Sequence, residues 1–109
     1  MPLVTHVFPS HKRIQNGSVV SHDYVPRRAN FNYDATGNTV IINIIPTLSP
    51  KKAHLTRQVG FTLYYVGEDP DYLFELECWP DNGTIKRLSV FRKDLGVEYQ
   101  YISDHQDAL

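Results

Sequence analysis

The chain has 109 residues, 41% of them hydrophobic, 12% aromatic and 21% charged, a balance that supports one packed core and excludes a disordered protein or a multidomain one. Its longest apolar run, Val40 to Ile45, is far too short for a membrane-spanning helix and is interrupted by Asn43. A net charge of −1 lacks the basic excess of a general nucleic-acid binder, so neither nucleic acid nor membrane is an expected partner.

In chain order, alternation with period two and turn residues dominate, and no apolar face with helical spacing extends over ten positions. Leu3 to Phe8 reads as a first strand ended by Pro9. Asn16-Gly17, between Arg13-Ile14-Gln15 and Ser18-Val19-Val20, supplies the two positive-φ residues of a type I′ hairpin. Pro26 ends that hairpin. Phe31 and Tyr33 alternate with Asn30 and Asn32 before the turn 34–38, and Thr39 to Ile45 returns as a central strand, apolar on both faces except at Asn43. The segment Tyr33-Asp34-Ala35-Thr36-Gly37-Asn38 resembles the Tyr-Asp-x-x-Gly-Asn unit of YD-repeat shells, but no second copy follows, and an ordinary hairpin turn accounts for the same residues.

Ser49-Pro50 suits the start of a short helix running to about Gln58. An extended alternative begins at Leu55, because Leu55, Val59, Phe61, Leu63 and Tyr65 share one parity. The turn 67–71 precedes a strand from Tyr72 to Trp79, and Pro80-Asp81-Asn82-Gly83 forms a four-residue hairpin loop. If Trp79 pairs with Thr84, Glu77 faces Lys86, Glu75 faces Leu88, and Leu76 faces Arg87. Tyr72, Phe74, Leu76, Cys78, Ile85 and Phe91 then share the core side, and Glu75, Glu77, Trp79, Lys86, Leu88 and Val90 share the other. Asp94-Leu95-Gly96 turns into a last strand holding Val97, Tyr99 and Tyr101, and 103–109 is expected to fray. These elements predict an all-β, mainly antiparallel sandwich or small barrel of about eight short strands built from hairpins, with at most one short helix, as a single domain over 1–109.

Recognisable chemistry is sparse. His6, His11, His22, His54 and His105 never fall at metal-ligand spacing, and the single Cys78 lacks a partner cysteine, so no metal or other cofactor is expected. Ser21-His22-Asp23 cannot act in series, because neighbours on a strand point to opposite faces. Glu75 and Glu77 sit two residues apart on one face at a spacing that suits glycosidic chemistry, but a cross-strand Lys86 reads them as a solvated ion-pair face. Absence of a basic-flanked apolar leader and of paired cysteines predicts a cytoplasmic protein.

What remains is surface. Trp79 and Leu88 amid Glu75, Glu77 and Lys86 present apolar anchors with a charged rim, the make-up of a protein interface. The expectation is a non-enzymatic protein-binding module of the inhibitor, immunity-type or accessory-subunit kind, using a sheet face or edge through Glu75, Glu77, Trp79, Lys86 and Leu88. One alternative is a self-associating assembly protein, since residues 1–57 carry a net +5 and residues 58–109 a net −6. The other is a small enzyme or ligand carrier with a polar pocket inside a barrel.

Overall fold

A computed structural model describes residues 3–45, 48–80 and 84–102. Ten antiparallel strands form one sheet: Leu3–Phe8 (β1), Ser10–Gln15 (β2), Ser18–Asp23 (β3), Arg27–Tyr33 (β4), Thr39–Ile45 (β5), Leu48–Val59 (β6), Thr62–Glu68 (β7), Tyr72–Cys78 (β8), Ile85–Arg92 (β9) and Val97–Ile102 (β10). Their order across the sheet is β1-β4-β5-β6-β7-β8-β9-β10-β2-β3. Strands β4 to β10 thus form a meander, while β1 and β2, joined only by Pro9, sit toward opposite ends of it. The sheet must curl for that link to span it. Phe8, the last residue of β1, packs 5.6 Å from the Tyr101 ring of β10 and 6.3 Å from Phe31 of β4. No ladder among the described residues closes the roll, so the fold is an open barrel with β1 and β3 as edges. Its radius of gyration of 13.2 Å matches the value of about 13 Å expected for a compact chain of this length.

Alternation delivers one side chain in two to the inside. Ala29, Phe31 and Tyr33 of β4, Val40, Ile42 and Ile44 of β5, Leu63 and Tyr65 of β7, and Phe74, Leu76 and Cys78 of β8 belong to one buried cluster. Asn16 and Gly17 both adopt positive φ, at 53° and 77°, and Gln15 pairs with Ser18, the geometry expected for their hairpin. The turn after Tyr33 is tied by Asp34: its Oδ1 accepts from Thr36 Oγ1 at 2.9 Å and the Asn38 amide at 3.0 Å, and its Oδ2 accepts from Thr39 Oγ1 at 3.0 Å. Tyr65 Oη donates to the Gly37 carbonyl at 2.5 Å and fastens this turn to β7.

Three expectations need correction. The chain is extended where a helix from Pro50 was expected, and no helix occurs among the described residues. β6 runs for 12 residues, and its inward Ala53 is fully buried, so continuous pairing to β5 and β7 overrides the weak cap signal. The parity run through Leu55 to Tyr65 is likewise not one strand. Val59 pairs with Thr62 across Gly60-Phe61, with Gly60 at φ 58°, which makes a two-residue hairpin and leaves Val59 and Phe61 exposed. The strand count is therefore ten.

The third correction concerns β8 and β9. Trp79 does pair with Thr84, its amide donating to the Thr84 carbonyl at 2.9 Å. Cys78 then faces Ile85, but Glu77 faces Arg87, so Lys86 is an extra residue in a β-bulge. Every partner beyond it shifts by one: Leu76 meets Leu88 and Phe74 meets Val90. Leu88 and Val90 enter the core, and Phe91 turns outward. The expected loop at 81–83 and the expected frayed tail at 103–109 lie outside the described residues.

Candidate functional site

The five side chains expected to form a binding face separate into three environments. Leu88 is fully buried and leaves the surface. Glu75 and Glu77 remain on the outer face, half-buried, with Glu77 Oε2 accepting from Arg87 Nε at 2.8 Å and from Arg87 Nη2. Lys86, released from the ladder by the bulge, places its ammonium 3.7 Å from the centre of the Trp79 ring. That ammonium also donates to the Phe61 carbonyl at 2.9 Å and to Thr62 Oγ1. Trp79 and Lys86 thus belong with the β6–β7 hairpin tip, not with Leu88.

On the same outer face, Val66, Leu73, Glu75, Ser89, Phe91 and Glu98 border an open groove of about 400 Å³. Glu98 Oε2 accepts from Ser89 Oγ at 3.1 Å and from Gln100 Nε2 at 2.9 Å. Phe74, from the inner face, reaches the base of the groove.

The inner side holds a second concavity, of about 290 Å³, lined by His11 of β2, Arg27 of β4, Ile44 of β5, Tyr72 of β8, Val90 and Arg92 of β9, and Tyr99 and Tyr101 of β10. Tyr72 begins β8, Arg92 ends β9 and Arg27 begins β4, so the meander brings strand ends distant in sequence to one mouth of the barrel. Ile44, Val90 and Tyr101 are buried and form an apolar floor. The polar groups on the wall are guanidinium, phenol and imidazole, with no carboxylate among the lining residues. Acids stand behind the wall: Asp94 Oδ1 accepts from Arg92 Nε at 3.0 Å, and Asp23 lies 3.8 Å from His11 Nε2. The remaining guanidinium N–H groups of Arg92 are not taken up by that contact.

His11 lies against the aromatic rings of Tyr99 and Tyr101 on the neighbouring strand, with ring centres at 6.2 and 5.1 Å. Its buried Nδ1 has no hydrogen-bond partner among the described residues, an unmet polar group of the sort that binding sites carry. Burial pushes its pKa below the usual value; Asp23 pulls the other way, and Arg27 and His22 reinforce the burial. The imidazole is therefore neutral at pH 7 and has both a donor and an acceptor to offer. Nearby, His22 Nε2 lies 2.9 Å from Ser10 Oγ, across the sheet from Ser21, so the consecutive Ser-His-Asp residues do not act together.

Sequence reasoning missed this pocket because its residues come from six strands and share no local spacing. The available signal was charge: Arg27 and Arg92 each fall at a strand end beside residues of the inward parity. Cys78 is buried as expected. Burial pushes its thiol up, against the opposing effects of a hydrogen bond with Tyr33 and the charge of Lys86, which leaves it protonated and unreactive. Among the described residues no helix is long and apolar enough to cross a membrane. Comparison with protein-family models, with curated proteins and with solved structures gives no match to the chain.

Proposed function

We propose that the protein is a ligand carrier that binds a small organic anion, with an aromatic or apolar body, in the mouth of its open barrel. The observation that carries this reading is the convergence of Arg27, Arg92, Tyr72, Tyr99 and His11 around an apolar floor. Guanidinium groups form paired N–H donations to carboxylate or phosphate oxygens, and such charge-assisted bonds are the strong ones. Tyrosine rings and the Ile44–Val90 floor would cover the ligand's body, as in pockets where a few polar groups orient an apolar molecule. The volume, near the lower end of the usual range of about 300–1,000 Å³, restricts the ligand to a small one. A cytoplasmic location goes with this reading, since a lone buried thiol suits a reducing compartment.

Titration calorimetry with benzoate, phenyl phosphate and neutral benzyl alcohol as probes tests it. The two anions are expected to bind and the alcohol not to. Arg27→Gln should weaken the anions by about tenfold or more, the usual worth of a hydrogen bond to a charged group. Equal heats for the alcohol and the anions, or no anion binding at millimolar concentration, would remove the proposal.

A second reading, capture of another protein by the outer face, draws support from the groove beside Leu73 and Phe91, whose apolar walls lie next to Glu75 and Glu98.

A further inference from the structure

The outer face of β6 to β10 is chemically different at its two ends. At one end the β6–β7 hairpin projects Phe61, 76% exposed, and Val59, 58% exposed. Cations flank this tip: Lys86 lies over Trp79 and holds the Phe61 carbonyl, and the Arg57 guanidinium lies 4.0 Å from the Tyr64 ring. At the other end is the groove of about 400 Å³, with Leu73, Phe91 and Val66 as apolar walls and Glu75 and Glu98 as acids. Neither acid pairs with a cation among the described residues.

The tip is an apolar knob among positive charges, and the groove is an apolar hole among negative ones. They cannot meet within one molecule: Thr62 and Val66 are four residue steps apart on β7, about 13 Å along a strand. We propose that the groove receives the Phe61 tip of a second copy of this chain, so that the protein self-associates head to tail through unlike surfaces. Phe61 fills the space between Leu73 and Phe91, while Arg57 and Lys86 approach Glu75 and Glu98. An exposed aromatic anchor seated in a desolvated hollow with a charged rim is how protein contacts concentrate their affinity. Lys86 prepares the knob beforehand by fixing the backbone of Phe61, so little ordering is left for association. A contact between unlike surfaces propagates, giving a ring if the rotation closes and an open chain if it does not. This inference is independent of the interior pocket.

Complementation of two surface variants tests it by sedimentation velocity. Phe61→Ser lacks the knob and keeps the hole; Glu75→Lys keeps the knob and spoils the hole. Wild-type protein is expected to sediment faster as concentration rises, and less so in high salt, where the charged rim is screened. Each variant alone should be monomeric, with association weakened about tenfold or more. Their equimolar mixture should form a one-to-one dimer and grow no further. Circular dichroism of each variant confirms that the sheet is intact, which the exposure of Phe61 and the outward-facing position of Glu75 lead one to expect. A wild-type monomer at all concentrations, variants that associate like wild type, or a mixture that behaves as the sum of its parts would each overturn the proposal. So would association with anionic phosphatidylserine vesicles, followed by Trp79 fluorescence, in a protein that does not self-associate.

Discussion

Gly67 offers a sharp test of how closely the inner face is packed. It lies within β7 opposite Phe74, and its φ is not in the left-handed region, so its backbone would accept alanine. Space is the obstacle. A Cβ at this position would fall 2.1 Å from Phe74 Cε2, 2.6 Å from Phe74 Cζ and 2.4 Å from the Lys52 carbonyl oxygen. Phe74 is 3% exposed and cannot swing into solvent, and the carbonyl belongs to the neighbouring strand β6. Gly67→Ala must therefore displace a core ring and a piece of sheet backbone, an overpacking that typically costs about 1–3 kcal/mol. With an unfolding entropy of about 2.1 cal/mol/K per residue, a chain of this length loses about 4 °C in Tm for each kcal/mol, so a fall of about 4–13 °C is expected by scanning calorimetry. Phe74→Leu should recover part of that loss in the Gly67→Ala background while being destabilising alone, a coupling that a double-mutant cycle isolates. A Tm within about 1 °C of wild type for Gly67→Ala, or additive effects in the cycle, would refute the close packing of Phe74 on β7.

The bulge at Lys86 makes a second prediction: Leu88→Ala, which empties a fully buried site, should cost about 2–5 kcal/mol, whereas Trp79→Ala should cost under about 1 kcal/mol. Denaturant unfolding of the two variants measures both, and the reverse order would restore the unbulged register. A third concerns Asp34, where partial loss of water pushes its carboxyl upward and the hydrogen bonds from Thr36, Thr39 and Asn38 outweigh this, holding it down to about 2. Because the folded value lies below the unfolded one of about 3.9, the group contributes stability above that pH and loses it as pH falls through its folded value. Carboxyl carbon titration by NMR should find a midpoint near 2, and Asp34→Asn should flatten the acid limb of the stability curve; a midpoint near 4 would contradict the hydrogen-bonded turn.

Local signals carried most of the fold. β1 and β5 coincide with their expected spans, and Asn16-Gly17 turns as its composition dictates, because these features depend on neighbours in sequence. The bulge was not legible: Lys86 and Arg87 have the same charge and either could have faced Glu77, so parity alone could not decide the register. Burial decided it, since a ladder without the extra residue would expose Leu88 and Val90 while turning Phe91 and Arg87 inward. The long β6 was misread because Ser49-Pro50 imitates a helix start, and pairing on both sides of a strand leaves no trace in its own residues. The interior pocket depends on the roll of the sheet, a property of all ten strands together.

The two proposed sites occupy opposite faces of the same strands, and period-two alternation is what keeps them apart. Tyr72 faces the interior pocket and Leu73 the outer groove; Val90 and Arg92 face inward, Ser89 and Phe91 outward; Tyr99 faces inward and Glu98 outward. One sheet thickness thus separates a wall of hydrogen-bond donors from a wall with two carboxylates. The sign of each face also follows from strand order. β2 pairs with β10, and β4 stands beyond β5 and β6 from β7; these two strands send His11 and Arg27 to meet Arg92 in the pocket, while Glu75 and Glu98 stay on the outside of β8 and β10. Because the carboxylates lie across the sheet from the pocket, Glu75→Lys should leave anion binding within about twofold of wild type, changes at distant faces being close to additive. Arg27→Gln should in turn leave the sedimentation of the wild-type chain unaltered, so the failure of either site would not carry the other with it.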